Sequence, residues 1–230
     1  IDTGAVYNNE KDIGNALSSL NINRSNYKII SKINFNQNIS ISESIKSSLE
    51  MLKLDFIDIM LIHWPIFKNN INLDLLELFK LKKKGLIKKI GISNFNLYLL
   101  RNIDKDLIKH ISFNEFEFHP FLKQNKIINF NNKNKIISIA HCPFARNLID
   151  KNLILKRLSN KYKKSIQQII LKWMIGKKII PVPGTSNINH LKENINIQNF
   201  NINEKDLKII SNLNYKNNIK LIKNQSKYKW

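Results

Sequence analysis

The stretch SIKSSLEMLKLDFIDIMLIHWP, residues 44–65, places a helical pattern directly before a short apolar run. Ile45, Leu49 and Leu52 recur at intervals of three to four residues, which predicts a helix with one apolar face. Phe56–Ile62 then has the length and the β-branched content of a buried strand. The stretch therefore predicts a helix–strand unit, and the rest of the chain repeats its pattern.

The same alternation of short apolar runs and helical segments continues in both directions, which is typical of a parallel α/β sheet. Ser40 and Glu43 predict a capping box for the helix at residue 41, and Asn203 predicts the cap of a late helix. The predicted strands are Lys28–Lys32, Phe56–Ile62, Lys89–Ser93, Ser112–Glu115, Ile136–Ala140 and Ile179–Val182. The predicted helices are Asn9–Ser19, Ile41–Leu52, Leu73–Lys84, Leu97–Asp104, Lys123–Phe130, Ser165–Ile175, Ile188–Ile195 and Glu204–Leu213.

Such an alternation fits either a closed barrel or an open dinucleotide-binding sheet. An open sheet would require G-x-G-x-x-G after its first strand, and the six glycines of the chain contain no such triplet. We therefore expect a (β/α)8 TIM barrel, with its active site at the carboxyl ends of the strands. No linker-like stretch or shift in composition interrupts the sequence, so we expect one domain over residues 1–230.

The formal charge of +21 could indicate a nucleic-acid-binding protein. However, the lysines are scattered among Asn and Ile, as in KIINFNNKNKII (126–137), and no nucleic-acid-binding motif accompanies them. We attribute the charge to biased composition and expect no specific nucleic-acid partner. Cys142 is the only cysteine, which suits a reducing, cytoplasmic setting, and no apolar run is long enough for a membrane helix.

Four reactive side chains fall at or just beyond strand ends: Asp2, Tyr7, Lys32 and His63. A lysine ammonium lowers the pKa of a neighbouring tyrosine, and an aspartate holds that lysine charged. A histidine can polarise a carbonyl oxygen by donating a hydrogen bond. The set therefore fits a proton donor for carbonyl reduction, although structural ion pairs and core aromatics explain the same residues taken singly.

Five motifs in order give the chain its resemblance to a known family. They are IDTGAVYNNEKDIGNAL (1–17), SIKSSLEMLKLDFIDIMLIHWP (44–65), GLIKKIGISNF (85–95), FNEFEFHPFLKQ (113–124) and IPVPGTSNINHLKENI (180–195). Together they resemble the signatures of the aldo-keto reductases, and most closely those of the bacterial type that reduces 2,5-diketo-D-gluconate and methylglyoxal.

The resemblance implies a catalytic tetrad of Asp2, Tyr7, Lys32 and His63, with direct hydride transfer from NADPH to a small aldehyde or ketone. Tyr7 would be the general acid, and Trp64 would line the substrate pocket or pack at the barrel rim. No metal is implied, and the His and acidic residues lack metal-ligand spacing.

The implied cofactor residues match the family less completely. Glu115 stands where the family has Gln, His141 stands for the Tyr that stacks on nicotinamide, and His190 with Gly184 replaces a basic pair near the 2′-phosphate. Loss of that charge weakens the preference for NADPH, so NADH remains possible. The full implied set is Ser93, Asn94, Glu115, His141, Thr185, His190, Glu193 and Asn194.

The family begins with a hairpin, a first strand and helix, and a second strand that ends in the catalytic Asp. Ile1–Thr3 resembles the end of that second strand, so we expect the N-terminal hairpin, the first βα unit and most of the second strand to be missing. An alternative function is a barrel that no longer catalyses and persists as a binding or scaffold protein with non-specific affinity for polyanions. We expect a monomer that acts on a small carbonyl substrate.

Overall fold

The computed structural model describes residues 1–33, 39–66, 70–213 and 220–222, and within them six β strands alternate with α helices. The strands are β1 (Ile30–Ile33), β2 (Ile57–Ile62), β3 (Ile87–Ser93), β4 (Ile111–Glu117), β5 (Ile137–His141) and β6 (Ile179–Pro181). The helices are α1 (Glu10–Ser19), α2 (Ile41–Leu52), α3 (Ile71–Lys83), α4 (Leu97–Arg101), α5 (Lys105–Ile108), α6 (Asn125–Lys133), α7 (Leu153–Tyr162), α8 (Ile166–Gly176), α9 (Ile188–Ile195) and α10 (Glu204–Ser211). Short 3₁₀ segments cover Ala5–Tyr7, Arg24–Asn26 and Ala145–Lys151.

The strands form a sheet in the order β1-β2-β3-β4-β5-β6, the order in which they occur along the chain. The described residues divide into two compact units. The first contains Ile1–Glu115 and Asn129–Ile136, and the second contains Phe116–Ile128 and residues 137–222. Strand order in chain sequence with helical connections is the arrangement that repeated βα units produce.

In the first unit, β1, β2, β3 and the first part of β4 run parallel. Ile30 pairs with Ile59, Ile57 with Ile87, and the β3–β4 register shifts between Ile90 and Gly91. Every residue of β2 is buried, as expected for a central strand of a parallel sheet covered on both faces. The core of this unit is aliphatic and is built by β1 and β2 with α2 and α3; its buried members include Ile29, Ile33, Ile45, Leu52, Ile57, Met60, Leu61, Ile62, Leu75 and Leu78.

The helix α2 has the predicted capping box. The Ser40 hydroxyl accepts from the Glu43 backbone N–H at 3.1 Å, and the Glu43 carboxylate accepts from the Ser40 backbone N–H at 2.7 Å. These bonds satisfy two backbone donors that the first helical turn leaves unpaired. They fix where α2 begins, and its apolar stripe then packs on the sheet.

In the second unit, β5 and β6 run parallel with Ser138 opposite Ile179. Phe118 stacks on Trp173 of α8 with a centroid distance of 5.1 Å and an interplanar angle of 6°. The buried Glu117 carboxylate accepts hydrogen bonds from the backbone N–H groups of Leu221 and Ile222 at 2.8 and 3.1 Å. A buried carboxylate thus holds the last described segment of the chain.

The parallel α/β architecture predicted from the sequence is confirmed, and each predicted strand is present with bounds that differ by up to two residues. The predicted helix Leu97–Asp104 is wrong as a single element, because α4 ends at Arg101 and α5 begins at Lys105. Asn102 donates from its side chain to the Tyr98 carbonyl, a local bond that competes with the helical ladder. The helix α7 was not predicted from the sequence, although Asn152 caps it by accepting from the N–H groups of Ile154 and Leu155.

The predictions that the chain is one domain and lacks N-terminal elements of the family stay predictions. Across the described ranges, none of the helices combines the length and the apolar character that crossing a membrane requires.

Candidate active site

Asp2 and Lys32 are brought together by pairing of the first residues of the chain with β1. The Thr3 N–H donates to the Ile30 carbonyl, and the Ile30 N–H donates to the Ile1 carbonyl, both at 2.9 Å. This register places the Lys32 Nζ 2.6 Å from Asp2 Oδ1 and 3.0 Å from the Thr3 carbonyl oxygen. The Lys32 side chain is 0% exposed, so its ammonium is held by protein oxygens rather than by water.

Tyr7 and His63 meet beside this ion pair. His63 directly follows β2, and its Nε2 lies 3.3 Å from the Tyr7 hydroxyl oxygen. The two rings are nearly perpendicular, with centroids 5.5 Å apart. Tyr7 is 46% exposed and the Lys32 Nζ lies 5.1 Å from the centre of its ring. An exposed phenol beside an imidazole and above an ammonium can give a proton to a bound oxygen atom.

Glu115 adds a second carboxylate to Lys32. Its Oε1 lies 3.6 Å from the Lys32 Nζ, and the residue is 2% exposed. Its Oε2 is buried and has no hydrogen-bond partner among the described residues. Such an atom is costly inside a protein, so it can receive a donor from a bound molecule.

The pKa values of these groups depend on burial and on each other. Burial raises the pKa of Glu115 to about 8 against the opposing attraction of Lys32. The pKa of Lys32 is raised, because Glu115 and Asp2 together outweigh the lowering by burial. Partial burial also raises the pKa of Tyr7, which is about half exposed; Lys32 lowers it, and Glu115 and Asp2 raise it further. Lys32 therefore acts on Tyr7 in the predicted direction, but burial and the two carboxylates outweigh its effect.

Ser93 and Asn94 lie at the carboxyl end of β3 and are 0% and 4% exposed. Asn94 donates from its side-chain amide to the His63 carbonyl and to the Ser93 hydroxyl, both at 3.1 Å. Its backbone N–H donates to the Glu115 carbonyl at 2.9 Å, which joins the ends of β3 and β4. The Ser93 hydroxyl as a donor and the unpaired Oε2 of Glu115 as an acceptor match the carbonyl oxygen and the amide group of a carboxamide, while the N–H groups of Asn94 hold the site together. These residues therefore fit the nicotinamide end of a cofactor.

Trp64 follows His63, is 5% exposed, and has its ring centre 6.4 Å from that of His63. Its position in a substrate pocket stays a prediction.

The remaining predicted cofactor residues belong to the second unit. His141 is the last residue of β5 and is partly buried. A pocket of about 440 Å³ lies between the loop after β6, α9 and the segment after β5. A volume of this size is in the usual range for small-molecule sites. Its lining includes four residues predicted for the cofactor and also Gly184, which stands where the family has a basic residue; the four are Thr185, His190, Glu193 and Asn194.

The structure thus brings the four predicted tetrad residues together in the first unit, and the four predicted cofactor residues that follow β6 line one pocket in the second. The contact between Lys32 and Glu115 was not predicted from the sequence, because Glu115 was assigned only to the cofactor. Gly4 was not predicted to matter either, although a Cβ atom there would lie 3.1 Å from the Lys32 Cβ and crowd the site. Within the described ranges, no group of three or more His, Cys, Asp or Glu residues is arranged to hold a metal ion.

Comparison with known proteins identifies the class to which this site belongs. The sequence profile of the aldo/keto reductase family matches residues 1–215. Methylglyoxal reductase DkgA of Escherichia coli is 30% identical, over 93% of this chain and 78% of its own length. Glyoxal reductase of Bacillus subtilis is 32% identical with the same shares of both chains. The crystal structure of a Bombyx mori aldo-keto reductase in complex with NADP superposes with a TM-score of 0.83 at 25% identity, over 93% of this chain and 78% of that one.

The chain belongs to the aldo/keto reductase family, as the motifs predicted. Its parallel α/β fold is the (β/α)8 barrel class of that family. It is an NAD(P)H-dependent oxidoreductase that acts on carbonyl compounds.

Proposed function

We propose that this protein reduces small aldehydes and ketones of the methylglyoxal or diketogluconate type with NADPH, and that Tyr7 is the general acid. The observation that carries the proposal is the contact of 3.3 Å between the Tyr7 hydroxyl and His63 Nε2 beside the Lys32–Asp2 ion pair. The relatives named as methylglyoxal and glyoxal reductases support the substrate class.

A bound reduced nicotinamide would supply a hydride to the carbonyl carbon. The Tyr7 hydroxyl gives its proton to the carbonyl oxygen, so an alcohol forms, the cofactor is oxidised, and Tyr7 regains a proton from water. His63, 3.3 Å from that hydroxyl, is placed to hydrogen-bond the same carbonyl oxygen and polarise it. Lys32 stabilises the tyrosinate that remains, and Asp2 at 2.6 Å fixes the position of Lys32.

The cofactor contacts are divided between two sets of residues. In the first unit, Ser93 and the unpaired oxygen of Glu115 would hold the carboxamide, with Asn94 bonded to the Ser93 hydroxyl. The stacking role of His141 stays a prediction. The pocket that contains Thr185 and His190 would take the adenosine end. Because the described residues that line this pocket include no lysine or arginine for the 2′-phosphate, we expect NADH to be accepted as well.

The test is NADPH oxidation with methylglyoxal by the wild-type chain, Tyr7→Phe and a matched control, Tyr98→Phe. Tyr98 is 69% exposed and lies on α4, outside the proposed site. General acids contribute about a hundredfold or more to rate, so Tyr7→Phe should lose at least that factor in kcat. Cofactor affinity, measured by tryptophan fluorescence, should stay within about twofold of wild type, since Tyr7 is not assigned to the cofactor.

Equal turnover in Tyr7→Phe and Tyr98→Phe would remove Tyr7 from the mechanism. A folded wild-type chain that neither binds NADPH nor reduces methylglyoxal would contradict the proposal and favour a barrel that no longer catalyses.

A further inference from the structure

Lys32 is shared by two carboxylates, which leaves the site with one more negative than positive charge when both are ionised. Asp2 Oδ1 lies 2.6 Å and Glu115 Oε1 3.6 Å from the Lys32 Nζ. The side chains of Lys32 and Glu115 are 0% and 2% exposed. Charges in such a setting are weakly screened by solvent, so each acts on its neighbours over several ångströms.

Glu115 has no other cation to neutralise it among the groups that act on it. Those groups are Lys32 and Asp2, and Glu115 acts in turn on Tyr7. The groups around the Tyr7 hydroxyl are Lys32 from β1, Asp2 from the segment beside it, His63 after β2 and Glu115 from β4. Of these, Lys32 favours the tyrosinate form of Tyr7, whereas Asp2 and Glu115 oppose it.

We propose that Glu115 is a positioning residue that shares Lys32 with Asp2 and thereby keeps Tyr7 protonated, and able to donate, at alkaline pH. This inference rests on the proposed role of Tyr7 as general acid. Where Glu115 is ionised, it partly cancels the field of Lys32 at the phenol. Tyr7 then keeps its proton to a higher pH than a site with a neutral residue at position 115 would allow.

The pH ranges of the two groups agree with this role. Burial raises the pKa of Glu115 to about 8, and the pKa of Tyr7 is raised from 10.0. Glu115 is therefore ionised throughout the range in which Tyr7 loses its proton. Below that range Glu115 becomes neutral, and Lys32 then acts on Tyr7 with less opposition.

The decisive measurement is the pH profile of methylglyoxal reduction in the wild type, Glu115→Gln and Glu115→Asp. Glu115→Gln keeps the shape of the side chain and removes its charge. The pH at which kcat begins to decline on the alkaline side should then be lower by about one unit. A shift of this size is what one buried charge produces at an effective dielectric constant of about 20. Glu115→Asp keeps the charge one methylene further from Lys32, so its decline should fall between the other two.

A matched control makes the same Glu-to-Gln substitution at another place in the same unit. Glu10 is buried and accepts from the Ser31 hydroxyl at 2.5 Å. Because Ser31 and Lys32 are adjacent in β1, their side chains point to opposite faces of the sheet. Glu10→Gln should therefore show the alkaline decline of kcat at the same pH as the wild type.

A second readout does not depend on turnover. Tyrosinate absorbance is titrated in the cofactor-free protein, and the curve of the same variant with Tyr7→Phe is subtracted, because the chain has six tyrosines. The titration of Tyr7 should move to lower pH by about one unit in Glu115→Gln. An unchanged Tyr7 titration in Glu115→Gln, or equal shifts in Glu115→Gln and Glu10→Gln, would overturn the inference.

The two proposals fail in different ways. If Tyr7→Phe retains wild-type turnover, the proposed function fails, whatever Glu115 does. If Tyr7→Phe is inactive but Glu115→Gln shows the alkaline decline of kcat and the Tyr7 titration at the same pH as the wild type, only the role of Glu115 is refuted.

Discussion

Replacing Glu115 with glutamine should make the protein more stable at alkaline pH. The carboxyl is buried, and its pKa is raised from 4.5 to about 8 because burial outweighs the attraction of Lys32. A carboxyl whose pKa is higher in the folded state keeps a proton that the unfolded chain has lost. The free energy of unfolding therefore falls as the pH rises from 4.5 towards 8, and it levels off above.

The size of this loss in stability follows from the interval between the two pKa values of Glu115, 4.5 and about 8. Each pH unit between 4.5 and about 8 corresponds to about 1.4 kcal/mol, so the upper limit is about 5 kcal/mol. Entry of water and small movements of the ionised side chain reduce this cost, and we expect about 2–4 kcal/mol at pH 9. At pH 5 the neutral carboxylic acid and the amide offer similar hydrogen-bonding atoms, so the two proteins should be nearly equal in stability.

Urea unfolding, followed by far-ultraviolet circular dichroism at pH 5, 7 and 9, measures this difference. Glu115→Gln should gain stability relative to the wild type at each rise in pH. Parallel curves for the wild type and Glu115→Gln would refute the reasoning, because they would mean that Glu115 ionises in the folded protein as easily as in the unfolded chain.

Two further predictions concern packing and cofactor choice. Gly14→Ala should destabilise the protein by about 3 kcal/mol in urea unfolding, because its Cβ would lie 2.4 Å from the Met51 carbonyl oxygen at the end of α2. Gly176→Ala is the control, since nothing lies within 4 Å of its Cβ, and a loss of equal size there would contradict the packing argument. His190→Arg, which adds a fixed charge to the second-unit pocket, should lower the KM for NADPH about tenfold and leave that for NADH unchanged. The control Asn189→Arg adds the same charge to α9 at a residue that does not line the pocket. An equal decrease in the KM for NADPH in His190→Arg and Asn189→Arg would assign the effect to net charge.

The elements of the fold could be predicted because their signals are local. The apolar period of Ile45, Leu49 and Leu52 and the cap formed by Ser40 and Glu43 lie within a few residues of each other. The bounds of α2 and α9 matched the prediction for this reason. The break between α4 and α5 was not predicted. It depends on whether the side chain of Asn102 donates to the Tyr98 carbonyl, as it does here, or leaves that carbonyl to a continuing helix.

The sequence by itself determined the class of fold and the family, and it predicted the four residues proposed as the tetrad, since the order of the strands and the residue types at their ends can be read along the chain. It could not determine how the charges of those residues add. The register of Ile1–Thr3 against β1 sets the distance from Lys32 to Asp2, and the burial of β4 places an ionisable Glu115 against the same ammonium. Electrostatic energies depend on distance and on exclusion of water, so the net pKa of Tyr7 was decided only by the tertiary structure.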